Sequence, residues 1–135
     1  MSNNREDAAR HPCLVVEDSS FDQRMIMRVA NKGSSKLDYR VASTLAEART
    51  ELTRHDFSVI LLDNNLPDGK GANFALELAE HDVWSKIPII MISDWPSPFM
   101  VPKAKAAGVS FIVNKSDFMP NLVDHVLSGR QHSVH

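Results

Sequence analysis

The fold is decided by the stretch FSVILLD at residues 57–63. Most of it is an apolar run that includes β-branched residues, and the run stops at Asp63. A short apolar run of this kind is typical of a strand that is buried on both faces of a parallel sheet. In such sheets, ligands bind in the crevice outside the carboxyl ends of the strands. Asp63 is therefore predicted to lie where a ligand would bind.

Three further apolar runs also end on a polar residue. They are residues 13–16 before Glu17 and Asp18, residues 87–92 before Ser93, and residues 111–114 before Lys115. Segments with helical spacing separate the runs, so we expect parallel strands joined by right-handed crossovers. Three carboxylates, a hydroxyl and an ammonium group are thus predicted to meet at one edge of one sheet.

Strand and helix signals alternate five times along the chain. We predict an α/β fold with a doubly wound, five-stranded parallel sheet and helices on both faces, in which residues 37–41 form a weaker second strand. The predicted helices begin at Ser19 or Ser20, at Ser43 or Thr44, after Gly71, at Pro98 or Pro102, and at Ser116 or Asp117. Three nearby prolines should make the fourth helix short or irregular, with its end at Gly108. The last helix is expected to end near Leu127.

The composition is typical of one globular domain: 135 residues, of which 43% are hydrophobic and 24% charged. A formal net charge of -2 favours neither nucleic acid nor an anionic membrane as a partner. The chain has no apolar stretch of the roughly 18 residues that a membrane span needs. Since its single Cys13 cannot form an internal disulfide, we expect a cytoplasmic protein. We predict a flexible arm at residues 1–10, one domain at 11–128 and a flexible tail at 129–135.

The acidic residues at the predicted sheet edge suggest a metal and phosphoryl site. Glu17, Asp18 and Asp63 would repel one another, and each would raise the pKa of its neighbours. A divalent cation removes this penalty, and Mg²⁺ prefers oxygen ligands. Lys115 and Ser93 would offer a positive charge and a hydroxyl donor to a phosphoryl group. A carboxylate can attack phosphorus and form an aspartyl phosphate, so the best candidate nucleophile is Asp63.

Each of these residues also has an ordinary structural role. Asp18 could be an acid at a helix N-terminus and Asp63 a turn residue. Ser93 could cap a turn, and Lys115 could be a solvated surface lysine. The functional interpretation depends on four separate strand ends that carry the residue types one site would need.

Two segments and two spacings carry a resemblance to a known family. The segments are VVEDS at residues 15–19 and LLDNNLPDGKG at residues 61–71. Ser93 lies 30 residues after Asp63, and Lys115 lies 22 residues after Ser93. In these features, over roughly residues 12–127, the chain resembles the receiver domains of response regulators in two-component signalling. The two segments are similar to the acidic pair after the family's first strand and to its phosphoacceptor loop, and the family has a Ser or Thr and a lysine at the same two spacings.

The resemblance implies a flavodoxin-like receiver fold and a specific chemistry. Asp63 would accept a phosphoryl group from the phosphohistidine of a sensor histidine kinase or a histidine phosphotransfer protein. The Mg²⁺ ligands would be Glu17, Asp18, Asp63 and the backbone carbonyl of Asn65.

The resemblance also implies that Ser93 and Lys115 bind the phosphoryl group and report its presence. We expect a free-standing domain that is a phosphoacceptor rather than an enzyme, although it could catalyse its own phosphotransfer and dephosphorylation. Its output is left open between a relay that passes the phosphoryl group on and an adaptor that binds a target protein.

Two departures from the family's pattern lie near Lys115. Ile112 stands where the family usually has an aromatic residue that turns inward on activation, and we expect Phe111 on the opposite side of the strand. Ser116 stands where a cis proline usually follows the lysine. A cis bond without proline costs about 3–4 kcal/mol, so we expect a trans bond here and a Ser116 that caps the last helix.

A third departure follows Ser93, where the family usually has a small residue. Asp94 and Trp95 stand there instead, and we hypothesise that they restrict access to Asp63. The other interpretation is that both side chains point to solvent. The prolines nearby also predict an altered surface on the fourth helix.

Two other classes of function compete with a phosphoacceptor. A binding module of the same fold could act without phosphorylation, which the departures at Asp94, Ile112 and Ser116 would permit. A hydrolase with Asp63 as its nucleophile would need a second acid two residues later, where Asn65 stands.

Overall fold

The computed structural model describes residues 10–131 of the chain. Most of the predicted arm, residues 1–9, and the end of the predicted tail, residues 132–135, lie outside the described residues. The strands are β1 (His11–Val16), β2 (Leu37–Ala42), β3 (Val59–Leu62), β4 (Asn65–Leu66), β5 (Gly69–Lys70), β6 (Ile89–Ser93) and β7 (Phe111–Asn114). The helices are α1 (Ser20–Ala30), α2 (Leu45–Arg54), α3 (Gly71–Ala79), α4 (Met100–Ala106) and α5 (Pro120–Gln131), with 3₁₀ turns at Trp84–Lys86 and Lys115–Asp117. Within residues 10–131, none of these helices has the length and apolar character that crossing a membrane requires.

Five of the strands form one parallel sheet in the order β2-β1-β3-β6-β7. Helices α2, α3 and α4 cover one face of this sheet, and α1 and α5 cover the other. The predicted doubly wound sheet with helices on both faces is therefore confirmed.

β1 and β3, two of the three interior strands of the sheet, are almost completely shielded from solvent. Residues 13–16 of β1 and 59–62 of β3 are at most 1% exposed. Alternate residues pack into opposite cores, with Leu14 under α2–α4 and Val15 under α1 and α5. Complete burial of one aliphatic side chain contributes about 1.5–3 kcal/mol, so this packing fixes where the carboxyl ends of β1 and β3 lie.

Side-chain caps set the starts of α1 and α2 as the sequence predicted. The hydroxyls of Ser19 and Thr44 each accept a hydrogen bond from the backbone N–H three residues later, at 3.2 and 3.0 Å. Asp68, between β4 and β5, adds a second cap to α2. Its carboxylate accepts the first two N–H groups of that helix at 2.9 and 3.0 Å, which ties the loop after β3 to α2.

Several predicted boundaries were wrong. β3 begins at Val59 rather than at Phe57, and β6 begins at Ile89 rather than at Ile87. Phe57 and Ile87 pack against the core just before their strands, so their apolar character reflects burial rather than sheet pairing. α4 begins at Met100, between the two prolines predicted as possible starts, because Pro102 fits the first turn of a helix.

The start of the last helix was also predicted incorrectly. The side chain of Asn114 accepts hydrogen bonds from both the backbone N–H and the hydroxyl of Ser116, at 3.1 Å each. These bonds support a separate 3₁₀ turn at Lys115–Asp117, so Ser116 does not cap the helix. α5 begins only at Pro120, a residue suited to a first helical turn, and continues to Gln131, past the predicted end.

The loop after β3 is closed tightly over the end of that strand. The backbone carbonyl of Asn64 accepts the N–H of Gly71 at 2.7 Å, and its side-chain oxygen accepts the N–H of Ala72 at 3.0 Å. A β-carbon on Gly71 would lie 2.1 Å from the backbone oxygen of Asp63. Only glycine therefore allows α3 to start this close to β3. The short β4–β5 hairpin inside this loop was not predicted.

We expect Gly71→Ala to lower the free energy of unfolding by about 1–3 kcal/mol or more, because the obstructing atom is backbone and cannot rotate away. Urea denaturation would measure the change. The matched control is Gly129→Ala in α5, where a β-carbon meets nothing within 4 Å. That variant should be stabilised by about 0.5–1 kcal/mol, since alanine favours helix over glycine. Equal stability of Gly71→Ala and the parent would contradict this account.

Candidate functional site

The carboxyl ends of four strands bring the predicted site residues to one edge of the sheet. β1 places Glu17 and Asp18, and β3 places Asp63. Carboxylate oxygens from these three residues all lie within 4.8 Å of one another. Ser93 ends β6, next to Asn114 of β7, so Lys115 follows at the same edge. The predicted convergence is therefore present in the structure.

The three carboxylates differ in their exposure to solvent. Glu17 is 1% exposed and Asp63 is 5% exposed, whereas Asp18 is exposed. Burial, followed by the charge of Glu17, raises the pKa of Asp63 from 3.8 to about 7. Burial also raises the pKa of Glu17, although the backbone N–H of Ser19, at 3.0 Å from its carboxylate, acts in the opposite direction. The buried pair thus resists carrying two negative charges.

Lys115 is the cation of this site. Among the described residues, its Nζ lies within 4.0 Å of four carboxylates: Asp22 at 2.8 Å, Glu17 at 3.0 Å, Asp94 at 3.7 Å and Asp63 at 4.0 Å. Burial works against its charge, but the hydrogen bond to Asp22 and the nearby carboxylates of Glu17 and Asp63 outweigh that effect and raise the pKa of its ammonium group. Lys115 is therefore charged, and it lies nearer to α1 than to Asp63.

Asp22 was not predicted as part of the site. It lies in the first turn of α1, four residues after Asp18, and its side chain is 23% exposed. The spacing could have revealed it, because a helix that starts at Ser20 keeps its first turn beside the end of β1. No pattern in the sequence, however, pairs it with Lys115, 93 residues away.

Ser93 has a completely buried hydroxyl that lacks a hydrogen-bond partner within residues 10–131. A buried polar group without a partner costs about 1–3 kcal/mol. Its position at the end of β6 means that a ligand bound at this edge could remove that cost. The hydroxyl thus has unused capacity for a hydrogen bond.

The loops after β6 and β7 are joined by one side chain. The Asn114 amide donates to the backbone carbonyl of Asp94 at 2.9 Å, while its oxygen binds Ser116. No cis peptide bond occurs among the described residues, so the bond between Lys115 and Ser116 is trans, as expected. Changes around Ser93 and Lys115 are therefore linked through direct hydrogen bonds.

The residues that depart from the family's pattern lie in β7 and in the loop after β6. Ile112 is half-buried against the core under α4, and Phe111 packs against the opposite core, edge-on to His125. The Asp94 side chain is 65% exposed and Trp95 is 82% exposed. Trp95 lines a groove of about 350 Å³ between the β4–β5 hairpin and α4.

The raised pKa of Asp63 predicts a specific dependence of stability on pH. Its neutral form is favoured in the folded state, so the stability it contributes is present below pH 4 and is lost as pH rises through about 7. Without divalent cations, the unfolding free energy of Asp63→Asn relative to the parent should rise by at most about 4 kcal/mol between pH 4 and pH 8.

Urea titrations at several pH values in a chelator would measure this difference. Asp82→Asn, in an exposed turn, removes the same charge away from the site and should follow the parent throughout. If the unfolding free energies of Asp63→Asn and the parent changed in parallel with pH, the pKa of Asp63 would be the same in the folded and unfolded states. That result would contradict the prediction.

Comparison with known proteins assigns the chain to a family. The model of the response regulator receiver domain matches residues 13–127. The response regulator protein PilR of Pseudomonas aeruginosa is 31% identical over 107 residues, which are 79% of this chain and 23% of PilR. The KDP operon transcriptional regulatory protein KdpE of Escherichia coli is 34% identical over 80 residues, which are 59% of this chain and 33% of KdpE. The chain thus spans about a quarter to a third of the length of these relatives.

Solved structures show the same fold. A CheY-like receiver domain protein from Methanospirillum hungatei superposes with a TM-score of 0.76 at 17% identity, over 91% of this chain and 98% of that one. The Mn²⁺-bound form of response regulator Rcp1 superposes with a TM-score of 0.71 at 22% identity, over 87% of this chain and 90% of that one. With the family match and the fold in agreement, the chain belongs to the response regulator receiver domains, the phosphoacceptor modules of two-component signalling.

Proposed function

We propose that Asp63 is the phosphoacceptor of this receiver domain. The observation that carries the proposal is a nearly buried carboxylate 4.0 Å from an ammonium group, at the same edge of the sheet as an unpartnered hydroxyl. A carboxylate oxygen of Asp63 attacks the phosphorus of a partner's phosphohistidine. The new O–P bond forms as the N–P bond breaks, and the electron pair returns to the imidazole. The donor is a sensor histidine kinase or a histidine phosphotransfer protein.

The acidic residues fit a divalent cation. Glu17, Asp18 and Asp63 present only oxygen ligands, as Mg²⁺ requires, and the exposed Asp18 leaves room for the waters that this ion usually keeps. The backbone carbonyl of Asn65 is the fourth proposed ligand. When bound, Mg²⁺ would offset the negative charge of the carboxylates and of the phosphoryl oxygens. The raised pKa values of Glu17 and Asp63 support this assignment, because both shifts come mainly from burial of the charged carboxylate, which a cation would stabilise.

Ser93 and Lys115 are the proposed partners of the transferred group. The Ser93 hydroxyl donates to one phosphoryl oxygen, which satisfies a group that otherwise has no partner. Lys115 binds another oxygen as a point charge. Asn114, which joins the loops that follow Ser93 and Lys115, then transmits a change at either residue to the surface.

The output of the domain is a protein contact. We propose that it acts in the cytoplasm either as a relay or as an adaptor for a target protein, and not as an enzyme on another substrate. The transcriptional regulators among its relatives make a regulatory target reasonable. A module that acts without phosphorylation is less favoured, because Glu17, Asp18, Asp63, Ser93 and Lys115 are all present at one site.

Phosphorylation can be tested with a small donor. The chain incubated with Mg²⁺ and phosphoramidate should gain one phosphoryl group by intact mass. Asp63→Asn should gain none, and a chelator should suppress the gain in the parent. Asp82→Asn is the control for loss of an unrelated carboxylate and should react as the parent does. Absence of any gain with phosphoramidate and with acetyl phosphate would favour the phosphorylation-independent module.

The hypothesis that Asp94 restricts access has its own test. Its carboxylate lies at the mouth of the site, 3.7 Å from Lys115 Nζ, where it would repel an anionic donor. Asp94→Ala should therefore raise the initial rate of phosphorylation by acetyl phosphate by about two- to tenfold. Trp95→Ala should change the rate little, because that ring is mostly exposed. Equal rates for Asp94→Ala and the parent would end this hypothesis.

A further inference from the structure

The ammonium group of Lys115 is held by a residue outside the proposed phosphoryl site. Its shortest contact is with Asp22 Oδ2 at 2.8 Å, followed by Glu17 at 3.0 Å, whereas Asp63 is 4.0 Å away. Lys115 is only 9% exposed at its side chain, so water cannot easily replace these contacts. The position of this ammonium group is therefore set mainly by α1 and the end of β1.

Asp22 is itself well fixed. Its backbone N–H donates to the Ser19 hydroxyl at 3.2 Å in the N-cap of α1. The adjacent Gln23 amide donates to the backbone carbonyl of Glu17 at 2.6 Å. The first turn of α1 is thus anchored to the end of β1, and the Asp22 carboxylate is presented to Lys115 by a rigid element.

The contacts that hold Lys115 compete with a phosphoryl group on Asp63. An ammonium group has three N–H donors. One of them donates to Asp22, and the nitrogen also lies 3.0 Å from Glu17 Oε1. Glu17 belongs to the acidic group that would hold the proposed cation, and a bound cation would weaken the attraction of Glu17 for Lys115. Asp22 lies outside that group, and its attraction for Lys115 remains.

We propose that Asp22 is a positioning residue that holds Lys115 toward α1 and so lowers the affinity of the site for a phosphoryl group. The inference rests on the proposed phosphorylation of Asp63 and concerns how readily the phosphorylated state forms. The groups that face Lys115 are Glu17 from β1, Asp22 from α1, Asp63 from β3 and Asp94 from the loop after β6. Asp22 forms the shortest of these contacts, which makes it the main competitor of the phosphoryl group.

The test uses beryllofluoride, which adds to an aspartate as a phosphoryl analogue. Its dissociation constant with the full chain and Mg²⁺ would be measured by titration calorimetry. Asp22→Asn should bind it about two- to fivefold more tightly, the effect expected from weakening one partly exposed ion pair. Asp22→Glu retains the charge and should remain near the parent. Asp117→Asn removes an exposed carboxylate from the same turn as Lys115 and should change affinity less than twofold.

A second background separates positioning from a general effect of charge. In Lys115→Gln, the replacement of Asp22 by Asn should no longer tighten binding, because the residue that Asp22 positions is gone. The same gain in both backgrounds would overturn the proposal, as would unchanged or weaker binding by Asp22→Asn. If binding to Lys115→Gln is too weak to measure, NMR of the Lys115 ammonium group decides. A signal shifted by Asp22→Asn supports the proposal, and an unchanged signal overturns it.

The parent also tests the proposed function separately. Binding of beryllofluoride that is lost in Asp63→Asn supports a phosphoacceptor at Asp63, whatever Asp22 does. Binding to the parent without any effect of Asp22→Asn overturns only the role of Asp22. No binding to the parent would overturn the phosphoacceptor assignment, and the role of Asp22 with it.

Discussion

Burial of two carboxylates beside one ammonium group is the interaction on which the site depends. Moving an ionised carboxylate out of water costs several kcal/mol, and Glu17 and Asp63 are both almost fully buried. Lys115 offsets only part of this cost, because the pKa of each carboxyl remains raised. A site in this condition gains stability from a further positive charge. The fit of the site to a cation therefore follows from negative charge that Lys115 does not fully offset.

The fold produces this burial through the packing of its central strands. β1 and β3 lie in the middle of the sheet and are covered on both faces, so the residues that follow them emerge at an edge already enclosed by loops. Gly71 and Asn64 close the loop after β3 directly over the backbone of Asp63. Asp68 fastens the same loop to α2. The phosphoacceptor candidate is thus held between a buried strand and a loop that is tied to α2 and α3 by hydrogen bonds.

The parts of the structure that were predicted correctly depend on local chemistry. Continuous apolar runs gave the four strands that carry the site, and the caps at Ser19 and Thr44 are formed within three residues. Errors arose where a side chain has a distant partner or a competing neighbour. Phe57 packs on the core without belonging to β3. Ser116 does not cap α5, because its N–H donates to Asn114 in a separate turn. Single-residue propensities contain neither kind of information.

The sequence by itself determined the fold class and which residue types meet at the edge of the sheet, because burial requires apolar strands and parallel strands end together. Only the tertiary structure decided which charged side chains contact one another. Asp22 and Lys115 are 93 residues apart, and their 2.8 Å contact joins the first turn of α1 to the residue that follows β7. The unpartnered hydroxyl of Ser93 is equally a property of its surroundings. Distances between charges, which set their energies, exist only once the chain is folded.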